Sequence, residues 1–113
     1  MKKESFNTEI EFDDTRVKTK VILETSFSKE IRILLKKGQL MKEHKTPYPI
    51  LIHILEGNIE LGVQGEIFHI KSGDIISLEG GVPHDLAAKE NSIVRLTLSK
   101  FDKVERLDNV ING

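Results

Sequence analysis

The chain contains no cysteine, which removes disulfide cross-links and thiolate metal ligands at the outset. It also lacks a surplus of positive charge: 17 Lys and Arg stand against 18 Asp and Glu, for a net charge of -1. With no such surplus to neutralise phosphates, neither nucleic acid nor an anionic membrane is expected as a partner. Long apolar runs are missing too. The longest, Ile50 to Leu55, is interrupted by His53 and is far too short to span a bilayer. The opening Met1-Lys2-Lys3-Glu4-Ser5-Phe6 is basic, but the apolar stretch of a secretory signal does not follow it. A cytoplasmic location is the resulting expectation. There is no long amphipathic helix, internal repeat or low-complexity segment, and 113 residues leave room for one core.

What the chain does have is alternation. Ile31, Ile33 and Leu35 share one parity, as do Ile59, Leu61 and Val63, and again Val94, Leu96 and Leu98. A period of two places one set of side chains on a buried face and the other towards water. Turn residues separate the runs. Gly57-Asn58 reads as a tight hairpin between Ile50–Glu56 and Ile59–Val63, Gln64-Gly65 precedes Ile67, Ser72-Gly73-Asp74 precedes Ile75, and Gly80-Gly81 with Pro83 precedes His84. Gly38, Gly57, Gly73 and Gly81 read as turn glycines with positive φ. The spacing predicts about eight or nine short strands between Val17 and Lys100, hence an all-β barrel or sandwich.

The run Ile50 to Leu55 is apolar on both parities. Ile50, Ile52 and Ile54 fill the barrel, and Leu51, His53 and Leu55 then face outward. A strand apolar on both faces is expected to be covered on both. The N-terminal arm over residues 1–14 is one candidate cover; a second subunit, giving a homodimer, is the preferred one. The tail over residues 101–113 is charged and predicts a short helix or loose segment. The whole chain is read as one domain with its barrel at about 17–100 and no helix-turn-helix on either flank.

Two spaced motifs then stand out. In the first, Gly38 is followed by five residues and His44, with Thr46, Ile50 and Gly57 at fixed offsets beyond it. In the second, Gly73 is followed by five residues and Glu79, then Gly81, His84 and Ala88. In order and spacing these resemble the two motifs of the cupin superfamily: Gly-x5-His-x-His-x3,4-Glu-x6-Gly and Gly-x5-Pro-x-Gly-x2-His-x3-Asn. No insertion or deletion interrupts either, and the 15 residues between Gly57 and Gly73 match small cupins. The resemblance implies a cupin-type double-stranded β-helix, a jelly-roll barrel. It is similar to the sensor half of arabinose-type regulators, standing without a DNA-binding half.

In metal-bearing cupins both motif-one His, its Glu and the motif-two His surround a divalent ion. Here His44 and His84 are kept, while Thr46 replaces the second His and Ile50 replaces the Glu. Two neutral imidazoles imply at most a weakly bound divalent transition metal, unless Glu79 or Glu56 reaches in. The predicted ligand-binding set is His44, Thr46, Ile50, Ile52 and His84, with His44 and His84 as the only candidate metal ligands. Tyr48, in the stiff Pro47-Tyr48-Pro49 loop, either closes over this pocket or packs on a turn. His53 and His69 are read as outward-facing by parity. An apolar barrel with a few polar groups suits a small-molecule module, a sensor or store for a small polar metabolite. The alternative is a cupin enzyme, metal-dependent (dioxygenase, isomerase) or metal-free (epimerase), with an unpartnered His as general base; no residue is assigned a catalytic role.

Overall fold

The alternating runs become nine strands in the computed structural model, which describes residues 1–100. They are β1 (Lys18–Glu24), β2 (Ser28–Leu35), β3 (Leu40–His44), β4 (Ile50–Glu56), β5 (Asn58–Val63), β6 (Glu66–Lys71), β7 (Ile75–Leu78), β8 (His84–Ala88) and β9 (Ser92–Ser99). The short helix or loose tail expected over 101–113 lies outside the described residues. A five-stranded sheet has the order β1-β2-β9-β4-β7 and a four-stranded sheet the order β3-β8-β5-β6. Every pairing is antiparallel. From β2 to β5 the chain changes sheet at each step, and it does so again from β6 to β9. This is the jelly-roll architecture that the motifs imply.

The inner faces follow the predicted parity. Ile33 and Leu35 of β2, Ile50, Ile52 and Ile54 of β4, Ile59 and Leu61 of β5, and Val94 and Leu96 of β9 form one buried cluster with Ile70, Leu86 and Ala88. Burying an aliphatic side chain of this size contributes roughly 1.5–3 kcal/mol. The interior is thus packed along most of its length.

The outer face of the five-stranded sheet departs from simple alternation. Ser28, Glu30, Arg32 and Leu34 carry the outward parity of β2 and are nevertheless buried. Part of their cover is the N-terminal arm. Arg32 Nη1 donates to the carbonyls of Phe6 at 3.1 Å and Thr8 at 2.7 Å, and Nη2 reaches that of Glu9 at 3.4 Å. The Arg95 guanidinium lies 5.9 Å from the centre of the Phe6 ring, a cation–π contact. Gln39 Nε2 donates to the Asp13 carbonyl at 2.7 Å. The arm therefore lies against β2 and β9, while Leu51 on neighbouring β4 stays 39% exposed.

One predicted turn is wrong. Gly57-Asn58 does not make a hairpin: β4 pairs with β7 and β9, whereas β5 pairs with β6 and β8. Gly57 is the corner at which the chain leaves one sheet for the other. Its backbone groups, having left both ladders, are taken up by serines: Ser72 Oγ accepts from Gly57 N–H at 2.9 Å and Ser92 Oγ from Asn58 N–H at 3.1 Å. A hairpin and a corner both ask for a residue at positive φ, so composition alone does not separate them. Gly57 has φ 110°, and Gly38, Gly73 and Gly81 are also positive, as expected.

At Gly57 the need for glycine is double. A Cβ there would overlap the Ser92 side chain and lie 2.7 Å from Ser92 Cα, whereas a Cβ at Gly38 would meet open space. Gly38→Ala should therefore cost only the left-handed strain, roughly 1–2 kcal/mol. Gly57→Ala should cost roughly 3–5 kcal/mol, because the corner must also shift. Urea unfolding of both variants checks the contrast; equal losses would show that the close approach to Ser92 is unimportant.

Candidate functional site

The end of the barrel where β3 stops and β4 begins gathers the predicted residues. Strand β3 pairs with β8, with Met41 opposite Leu86 and His44 opposite His84. Three steps along β3 thus match two along β8, and the register shifts between them. That irregularity is what makes the site. Met41 packs against the core, so strict alternation would turn His44 outward; one extra residue re-aims it inward. The result is a pair of imidazoles with ring centroids 4.3 Å apart, tilted by 59°. Two residues forty positions apart in the sequence meet inside one rolled sheet.

Each ring is held by its own strand. His44 Nδ1 lies 2.9 Å from the Lys42 carbonyl, and His84 Nδ1 lies 3.1 Å from the Val82 carbonyl. A carbonyl only accepts, so these bonds assign the proton of each neutral ring to Nδ1 and leave Nε2 as an acceptor. His84 is 1% exposed. Its burial pushes its pKa below the ordinary 6.5; the Val82 carbonyl opposes this, nearby His44 reinforces it, and Asp85 opposes it.

Thr46 and Ile50 bound a cavity of about 260 Å³ at this mouth, together with Tyr48, Leu98 and Lys29. The Thr46 hydroxyl donates to the Tyr48 carbonyl at 3.0 Å, and the Thr46 carbonyl accepts from Gly81 N–H at 2.7 Å. The Pro47-Tyr48-Pro49 loop is thereby fixed to the turn before β8. Gly80 allows the close approach: a side chain there would run into the Pro47 carbonyl. Ile52 takes the next inward position along β4 and belongs to the sealed core at 1% exposure. The structure thus joins His44 with His84 and Thr46 with Ile50, and sets Ile52 deeper.

His69 is exposed and lies 3.9 Å from Glu60. His53 is partly buried with the outward parity, and its Nδ1 has no hydrogen-bond partner among the described residues. The sequence marks Gly80 only as part of the turn before His84, and it does not single out Lys29 at the mouth. Lys29 had a readable signal, since it shares the parity of Ile31, Ile33 and Leu35.

The donor set does not suit a tightly held metal ion. No group of three or more His, Asp or Glu among the described residues is placed to hold one, and protein metal sites ordinarily use three or four such ligands. Glu56 ends β4 at the far end from Ile50, and Glu79 lines a second hollow that shares Ile50 and Ser99 with the mouth cavity but contains neither histidine. Neither supplies the carboxylate that Ile50 lacks.

The lowered pKa of His84 ties stability to pH. The folded protein keeps the ring neutral where an unfolded chain would protonate it, so below the ordinary value of 6.5 the unfolded state binds more protons. Stability should be full above that pH and fall as pH drops through it towards the folded-state pKa. Thermal melts at about pH 7.5 and about pH 5.5 should show a smaller loss for His84→Gln than for the unaltered chain. An identical loss in both would mean that His84 is not protonated more easily on unfolding.

The Cupin domain family model matches residues 31–99. A comparison with curated proteins finds no match. Among solved structures, the chain is similar to an RmlC-like cupin from Desulfovibrio desulfuricans, at 24% identity and TM-score 0.80 over 88% of this chain and 96% of that one. An RmlC-like cupin from Shewanella frigidimarina is similar at 20% identity and TM-score 0.74, over 95% and 96%. A protein of unknown function from Streptococcus pyogenes is similar at 22% identity and TM-score 0.76, over 90% of each chain. At these identities the likeness concerns the fold.

Proposed function

Since the chain belongs to the cupin family, we propose that it is a small-molecule-binding cupin module whose ligand presents hydroxyl groups to His44 and His84. The observation that carries this reading is the imidazole pair, 4.3 Å between centroids, with both Nδ1 atoms on backbone carbonyls. Two neighbouring rings whose Nε2 atoms are left as acceptors suit a ligand rich in hydroxyl donors. The cavity bounded by Thr46, Ile50 and Leu98 lies at the same end of the barrel, although neither imidazole is in its lining; on this reading it receives the rest of a small polar metabolite. On this reading the protein senses or stores its ligand, in the manner of the sensor half of arabinose-type regulators.

A second reading is metal-free proton transfer of the isomerase or epimerase kind. It is favoured by one observation: burial holds His84 below its ordinary pKa, so it is an unprotonated base at neutral pH. Binding is preferred because, among the described residues, no carboxylate hydrogen-bonds either ring to orient it for turnover.

A thermal-shift screen of small polyols, sugars and hydroxy acids should find stabilisers that raise the melting temperature by a few degrees at concentrations about 100 times Kd. Their effect should vanish in both His44→Ala and His84→Ala. Hits unaffected by the double substitution would refute the imidazole site.

The exposed outer face of β4 supports a homodimer. Leu51 is 39% and Ile75 on β7 is 55% exposed, side by side with partly buried His53, and apolar faces of this kind mark interfaces. Leu51→Asp should convert the sedimenting species from dimer to monomer. A dimer of unchanged strength would remove this face from the assembly.

A further inference from the structure

We infer that the ligand carries a carboxylate and that Lys29 selects it. The inference rests on the barrel mouth being the ligand site, and it adds the chemical class.

Lys29 lies opposite Leu98 in the β2–β9 ladder, one inward step from the Ile31–Leu96 pair. It therefore has the parity of the core residues, at the end of the strand where the core gives way to the mouth cavity. Its aliphatic stem is suited to pack on apolar neighbours with the ammonium at the rim. Among the described residues lining that cavity are two lysines, Lys29 and Lys100, and no carboxylate.

The charge around this rim is unbalanced. Glu24 stands opposite Lys29 in the β1–β2 ladder. Its carboxylate is already taken by Lys100 at 2.8 Å, and its carbonyl accepts from Lys2 at 3.0 Å. The hydrogen bond from Lys100, with the charges of Lys100, Lys29 and Lys2 adding to it, holds the Glu24 carboxyl below its usual range. Three ammonium groups thus lie near one carboxylate, which only Lys100 pairs with directly, and this leaves a positive rim on a protein whose net charge is -1. A compact ammonium at the edge of an apolar hollow is a point-charge partner for an anion.

The remaining surface sets the size and shape of that anion. Ile50, Leu98 and Tyr48 offer an apolar wall, and the volume of about 260 Å³ falls below the range of roughly 300–1,000 Å³ usual for drug-sized ligands. The imidazole acceptors call for hydroxyl donors. Together these describe a hydroxy acid of a few carbons, its carboxylate at Lys29 and its carbon body on Ile50 and Leu98; its hydroxyl turns towards the imidazoles only in so far as the proposed function holds, since neither ring lines this cavity.

The test is an amide-detected NMR titration of the full chain at about pH 8, above the ordinary histidine range. The probes are 2-hydroxyisobutyrate and 2-hydroxyisobutyramide, which share a shape and differ in charge. The acid should bind about tenfold or more tightly than the amide, with shifts at Thr46, Ile50 and Leu98. Lys29→Gln should reduce that preference to about twofold or less, and Lys29→Arg should retain most of it. Equal affinity for the two probes in the unaltered chain overturns the inference. So does a preference that survives Lys29→Gln, or the absence of shifts at these three residues up to about 100 mM of either probe. The imidazole reading fails separately: a chain with both His44→Ala and His84→Ala that binds both probes as tightly as before removes the histidines but leaves Lys29 as the selector.

Discussion

The packing of aliphatic side chains between the two sheets is the constraint from which the rest follows. Ile33, Leu35, Ile52, Ile54, Ile59, Leu61 and Val94 close the interior, most of them with almost no exposed surface. A close-packed interior has no place for an unpaired polar group, because leaving its hydrogen bonds unmade costs several times what a paired one contributes. Polar chemistry is therefore pushed to the end of the barrel, where strands terminate and loops supply carbonyls. His84 shows the terms on which a polar ring is admitted. It is almost fully buried, it stays neutral, and its one N–H is given to the Val82 carbonyl.

Three departures from regular backbone turn this filled barrel into one with a site. The register shift in β3 changes the parity of His44 and brings it to the same face as His84. The corner at Gly57 moves the chain between sheets, so that β4 faces β3 and β8 from the other layer instead of pairing beside β5. Gly80 lets the Pro47 carbonyl pass close by, and the Thr46–Gly81 hydrogen bond fixes the loop there. Two of the three, the β3 shift and the Gly80 approach, sit beside the mouth, whereas the Gly57 corner lies at the opposite end of β4. Register shifts also occur within β1 and near the far end of β4, so it is the one in β3, which re-aims a histidine, that bears on the candidate site.

Much of this was legible in the sequence, and the parts that were not share a cause. Period-two alternation gave the inner faces of β2, β4, β5 and β9 correctly, and the spacing of Gly38, His44, Gly73 and His84 gave the architecture. The pairing of the two histidines was anticipated from motif spacing, but the bulge that achieves it was not, since an extra residue leaves no trace in composition. The Gly57 hairpin was misread because hairpin and corner demand the same residue. The buried outer parity of β2, Glu30, Arg32 and Leu34, was missed because charged residues at outward positions read as solvated. Arg32 is buried by the arm, whose carbonyls it binds, and a chain's contact with a distant polar segment has no periodic signature. Cover of Leu51 stands apart from this: the arm lies over β2 and β9, and the strand next to them keeps its leucine exposed.

The substitution pattern at the mouth also has a physical logic that links core to site. Ile50 occupies the position where the family resemblance implies a carboxylate, and it is both the first residue of β4, already buried, and part of the cavity wall. An apolar residue here extends the sealed core to the mouth and withdraws the one negative charge that would balance a cation held between the imidazoles. Thr46 withdraws a third imidazole and spends its hydroxyl on the Tyr48 carbonyl. With the anionic ligand gone and Lys29 and Lys100 on the cavity lining, the sign of the site is reversed relative to one built to hold a divalent ion. On the reading proposed above, a mouth with the imidazole pair on one sheet and ammonium groups on the other grips a small anion directly.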